Sequence, residues 1–228
     1  MTNAWSETLK SVTLVLASLL LWTVAPAARA DRVISTEHIT ISVTFHGADD
    51  MKPWAQKMLA VAARWYPRIC LMLPSKGFVP PSHVLIEIDS KMKGVAYTTG
   101  TTVHLAAPYF RKHPADIGVI VHELTHVAQQ YHHPEPGWLV EGLADYVRYY
   151  YYEPRARRPH INPAGHKYTE GYQLTAEFLH FIVQRYNQNF IRVLNARLRQ
   201  GTYSEKLFKQ MTGHTLAKLW SLYGKSFR

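Results

Sequence analysis

Two hydrophobic rhythms divide the chain. From Val33 to Phe45 (VISTEHITISVTF) apolar and polar residues alternate and β-branched types abound, which predicts a strand. HVLIEID at 83–89 predicts a second strand, and GVAYTTGTTVHLAAPYF at 94–110 predicts one or two more around Thr99-Gly100. Between them, Trp54, Met58, Ala62 and Trp65 recur at helical spacing within 51–66, and Pro67 marks the expected end of that helix. Beyond residue 115 the helical period takes over, predicting helices over 116–131, 138–152, 171–186, 190–199, 203–211 and 216–227. Strands followed by helices predict an α+β fold: an N-terminal sheet, then a mainly helical C-terminal part. Repeats and low-complexity linkers are absent, so one domain is expected.

One apolar run does not belong to that domain. Lys10 precedes SVTLVLASLLLWTVA, which gives way to APAARA, with Ala28 and Ala30 at the small-residue positions a signal peptidase requires. Residues 1–30 therefore read as a cleaved signal peptide and 31–228 as the mature domain. The run falls short of the roughly 20 apolar residues that span a bilayer, and no second one follows. A secreted or periplasmic protein with no membrane span after processing is expected.

Composition adds a charge and removes a constraint. The chain carries 26 Lys and Arg against 16 Asp and Glu; without Lys10, Arg29 and Glu7 the mature part keeps a formal charge of +9. Such a surface favours anionic surroundings, cell-envelope polymers among them, and serves solubility equally well. No dense basic block or nucleic-acid module accompanies it, so specific nucleic-acid binding is not expected. Cys70, the only cysteine, sits in apolar ICLML and reads as a buried inert thiol. An internal disulfide is impossible, and the fold must rest on its core.

The chemistry concentrates in HELTHVAQQYHH, residues 122–133. On a helix, residues four apart share a face, so His122 and His126 offer a pair of imidazoles to one Zn²⁺. Glu123, beside the first, is placed to act as general base towards a water that the metal acidifies. The pattern alone is weak, but VIV before it and Leu124, Val127 and Ala128 within it give the apolar setting of a buried active-site helix. His132 stands six residues past His126, the metzincin spacing, yet Gln129 occupies the place where a metzincin has glycine. A helix continuing through six residues turns about 600°, which aims His132 away. The competing third ligand is Glu141 in GWLVEGLADY, a carboxylate amid Trp138, Leu139 and Leu143 that would be costly without a partner. Asp145, one turn further, is placed to accept a hydrogen bond from a ligand imidazole.

HELTH followed by WLVEGLADY resembles the gluzincin metallopeptidases and, more narrowly, the basic secretory protein family, peptidases of plants and bacteria. The likeness continues through EGYQLTAEFLHFI, FIRVLNARLRQGTYSEKLFKQMTG and TLAKLWSLYGKSF. It implies a zincin-like single domain, with zinc held by His122, His126 and Glu141 and with Glu123 as catalytic base. It further implies a substrate-binding sheet edge, placed at Thr101–Ala106, and an oxyanion donor. Tyr172 is the candidate donor; His166, Tyr168 and Tyr149 compete, and a packing role for Tyr172 is the alternative. The tyrosines at 149–152 either wall the cleft or cap a helix end. The expected function is hydrolysis of peptide or protein substrates by a monomer, without an evident anchor for a free amine. Two rivals are an envelope-binding protein with a structural zinc and a zinc amidase acting on a cell-wall bond.

Overall fold

A computed structural model describes residues 32–35, 39–132, 135–155 and 161–227. The signal segment and His133 lie outside these residues. The predicted first strand is in fact a hairpin: β1 (Arg32–Ser35) runs antiparallel to β2 (Thr40–His46), with Ser35 opposite Thr40. The residues linking them in sequence contain no Gly, Pro or Asn to announce a turn, so one strand was expected where there are two.

Helix α1 (Lys52–Met72) carries the chain over the sheet to β3 (His83–Asp89), parallel to β2. A hairpin at Gly100 then forms β4 (Ala96–Thr99) and β5 (Thr102–Ala106). Because β5 pairs in parallel with β3, it lies inside the sheet and β4 forms its edge, in the order β1-β2-β3-β5-β4. One sheet face is apolar: Ile41, Val43, Val84, Ile86, Ile88, Val103 and Leu105 are all buried and belong to the core that α1 covers with Met58, Ala62 and Tyr66.

Pro67 does not end α1, which continues for five residues beyond it. Proline inside a helix costs about 3 kcal/mol. The extra turns place Ile69 and Leu73 in the core, and each such burial is worth roughly 1.5–3 kcal/mol, enough to offset it.

After a short α2 (Ala107–Lys112), α3 (Gly118–Gln129) runs between α1 and the C-terminal helices, and every one of its residues except His126 is buried. Helix α4 (Gly137–Val147) ends in a π-helical turn, Arg148–Tyr152. Helices α5 (Tyr172–Arg185), α6 (Phe190–Arg199), α7 (Lys206–Thr212) and α8 (Leu216–Lys225) close the molecule around Phe178, Phe190, Phe208 and Leu219. The architecture is α+β, a small mixed sheet followed by a mainly helical part. Among the described residues no helix is long and apolar enough to cross a membrane.

Candidate metal centre

His122 and His126 face the same way from α3, and Glu141 reaches them from the first turns of α4. His122 Nε2 lies 3.0 Å from His126 Nε2 and 3.2 Å from Glu141 Oε2, and His126 Nε2 lies 3.5 Å from Glu141 Oε2. A tetrahedral ion bonded at about 2.0–2.1 Å holds its donors about 3.3 Å apart, so the three edges fit zinc. Among the described residues, these three form the cluster of His, Cys, Asp and Glu donors close enough to share an ion.

The second ring nitrogens explain why the donors face one another. His122 Nδ1 is 2.6 Å from Asp145 Oδ1, and His126 Nδ1 is 2.8 Å from Gln129 Oε1. Both partners accept, so both Nδ1 atoms donate and both Nε2 atoms can turn lone pairs inward. Gln129 Nε2 in turn donates to the Val140 carbonyl at 3.0 Å, which fixes the amide and ties α3 to α4 beside Glu141. Three lone-pair atoms within 3.5 Å repel unless a proton or a cation sits among them. Without a metal, a proton does so: burial opposes charging His122, but Asp145 and Glu141 outweigh it and raise the imidazole to about 9. Burial likewise opposes the Glu141 charge, and hydrogen bonds from His122 and His126 prevail, lowering the carboxyl to about 2.

Glu123 sits one residue along α3, with Thr98 Oγ1 2.7 Å from its Oε2. Thr98 belongs to β4, so the edge strand reaches Glu123 directly. The four tyrosines and histidines proposed as oxyanion donors separate. Tyr172 lies with its ring nearly parallel to that of His122, centroids 6.4 Å apart, and Tyr149 also lines the cleft. His166 is exposed and bonded to Glu170, and Tyr168 packs on Trp138, both away from the cleft lining. Tyr172 is unusual in its backbone as well: φ is +49° there and +77° at Gly171, so the chain turns sharply just where α5 meets α4. Gly171 places its backbone against Trp138 and the Glu141 side chain. The Glu141 charge, together with partial burial, raises the Tyr172 phenol and keeps it protonated as a donor. Of the tyrosine run, Tyr149 lines the cleft, while Tyr150 stacks on His180 and Tyr152 meets Trp65.

Three expectations need correction. Thr101–Ala106 is not a sheet edge, because β5 is flanked by β3 and β4; the edge beside the site is β4. Since Val95 O accepts from Ala106 N, residues 95, 97 and 99 turn their backbone groups towards β5, and those of Ala96 and Thr98 point away from the sheet. Helix α3 does not run to residue 131; it ends at Gln129, with Gln130 left-handed at φ +41°. His132 is therefore absent from the donor cluster for a different reason than helix rotation, lying exposed at the rim of the same cleft. Two contributors escaped sequence reasoning. Gln129 was discoverable, because its i,i+3 spacing from His126 puts it on the same helix face. Thr98 was not, because only strand pairing brings it to Glu123.

The cleft over these groups has a volume of about 1090 Å³ and runs from Val95 and the β4 residues Ala96, Tyr97 and Thr98 past His122 and His126 to Arg148, Tyr149 and Tyr172. No curated protein matches the sequence. Among solved structures, an M1 zinc metallopeptidase variant from Deinococcus radiodurans bound to a Tyr-Ser-Ala substrate gives a TM-score of 0.49 at 14% identity, covering 86% of this chain and 51% of that one. A two-domain M1 zinc metallopeptidase variant bound to L-tryptophan gives 0.47 at the same identity and coverage. The chain thus spans about half the length of these structures. A family model described as "Peptidase of plants and bacteria" matches residues 29–223 of the 228, and this chain belongs to that family.

Proposed function

We propose that the protein is a zinc-dependent peptidase of the gluzincin type, exported by its N-terminal segment, with a zincin-like catalytic domain. The observation that carries this reading is the convergence of His122, His126 and Glu141, with both imidazoles oriented by Asp145 and Gln129. Zinc held there supplies Lewis acidity, polarising a carbonyl oxygen and lowering the pKa of water towards 7. The chain's own groups perform the remaining tasks. An extended peptide pairs with the outward backbone groups of Ala96 and Thr98 on β4. Glu123, its carboxylate steadied by Thr98, takes a proton from the attacking water and returns it to the leaving amine. The Tyr172 hydroxyl donates to the oxygen that gains charge.

The open cleft favours this reading over a structural zinc, which is closed by four protein ligands. Three donors facing a cleft with a carboxylate base beside them suit catalysis. Glu123→Gln is expected to retain zinc and lose cleavage of a casein-like substrate by about 10²–10⁴-fold. Undiminished cleavage would refute the assignment of the base. His126→Ala should lose the metal, and equal zinc content in variant and wild type would refute the ligand set. Tyr172→Phe should lower kcat on the order of 10²-fold with little change in KM; a change confined to KM would return Tyr172 to a packing role.

A further inference from the structure

The positive charge is unevenly distributed. Residues 31–177 carry 15 Lys and Arg against 14 Asp and Glu, whereas residues 178–228 carry nine against Glu205 alone. Eight of the nine net charges of residues 31–228 thus fall in the sequence from Phe178 onward. In the earlier part, cations meet acids: Arg111 bonds Asp50, Lys52 bonds Asp49, and Arg148 bonds Asp116 and Glu153.

Helix α6 shows the opposite arrangement. Its outer face and the segment after α1 enclose a groove of about 480 Å³, lined by Pro74, Ser75, Lys76, Arg192, Val193, Ala196, Arg197 and Gln200. Lys76, Arg192 and Arg197 are exposed, and none of the lining residues is acidic. Among the described residues no carboxylate pairs with any of these three cations. The groove shares no lining residue with the catalytic cleft.

We infer that this groove is a docking site for a linear anionic glycopolymer, one bearing a carboxylate or phosphate on successive sugars. Guanidinium forks pair with either group in bidentate fashion, a chemistry that the exposed Arg192 and Arg197 of the lining supply. Pro74, Val193 and Ala196 in the same lining offer apolar contact to the sugar faces between charges. Other polyanions fit less well. The lining holds no aromatic side chain on which bases could stack, which disfavours single-stranded nucleic acid. A lipid surface is the other polyanion to be distinguished, and the experiment below separates it.

The test measures binding without turnover, so it stands or falls separately from the peptidase reading. The full mature protein is titrated with polygalacturonate and with a phosphomannan across a range of NaCl concentrations. The expected result is saturable binding to at least one of them, with the stronger ligand identifying carboxylate or phosphate as the charge recognised. Arg192→Gln combined with Arg197→Gln should weaken that binding at least tenfold and flatten the dependence of log K on log salt, by roughly 0.7–0.9 per contact removed if the polymer condenses counterions as nucleic acids do. Lys218→Gln combined with Lys225→Gln removes the same charge from α8 and should change affinity less than twofold. Equal losses in the two double variants would overturn the groove in favour of a diffuse field. Absence of binding to both polymers, or tighter binding to phosphatidylglycerol vesicles or duplex DNA, would overturn it as well.

Discussion

At the scale of single residues, the centre depends on side chains that touch the ligands as much as on the ligands themselves. Gln129 accepts from His126 Nδ1 and donates to the Val140 carbonyl, so one amide orients an imidazole and holds two helices together. Gln129→Leu keeps the volume and removes both bonds. Zinc affinity should fall about 10–100-fold, read by competition with a chromophoric chelator; an unchanged affinity would show that Gln129 only packs. His122, Glu123 and His126 were legible because a helix imposes i,i+4 geometry on any sequence that forms one. Glu141 was legible by a different route, as a carboxylate in an apolar helix that needed a partner. Thr98 was not legible, since nothing between residues 98 and 123 encodes that the edge strand passes over Glu123.

At the scale of elements, the centre is a junction of α3, α4 and α5, and small residues set its dimensions. A Cβ on Gly142 would lie 2.2 Å from Thr175 Cγ2 and 2.5 Å from Thr175 Cβ, so α4 approaches α5 as closely as a glycine permits. Gly142→Ala must push the helices apart, at an expected cost of about 1–3 kcal/mol. Because α4 carries Glu141 and α5 carries Tyr172, zinc affinity and kcat should fall together with Tm. Retained kcat at a lowered Tm would mean that the junction is more compliant than its packing indicates. Prediction of the elements failed where tertiary burial outweighed local signals. Pro67 ought to stop α1 and does not, because Ile69 and Leu73 reach the core beyond it. The end of α3 came two residues earlier than its apolar pattern, where Gln130 turns left-handed and its side chain bonds the Gly100 carbonyl.

At the scale of the whole molecule, the proposed zinc and a proton would compete for one place. In the metal-free protein the His122 imidazole is raised to about 9, above its ordinary value near 6.5. A raised histidine stabilises the fold fully below pH 6.5 and loses that contribution as pH climbs through 9. Zinc requires His122 unprotonated, so its affinity rises over the same window. The Tm gap between zinc-loaded and chelated protein should therefore widen from pH 6 to pH 9, and zinc binding at pH 7.5 should release about one proton, measurable by calorimetry in buffers of different ionisation enthalpy. A gap that narrows with pH would contradict the arrangement of His122, Asp145 and Glu141. The sequence alone determined the α+β class, the helical pair His122 and His126 with Glu123 beside it, and the carboxylate fifteen residues beyond His126 as their candidate partner, because periodicity and spacing are local properties of a chain. It could not determine that β5 lies inside the sheet and β4 at its edge, that Tyr172 rather than His166 or Tyr168 overlies His122, or that Gln129 and Thr98 bond His126 and Glu123. Those depend on which elements pack against which, and tertiary burial alone decides that.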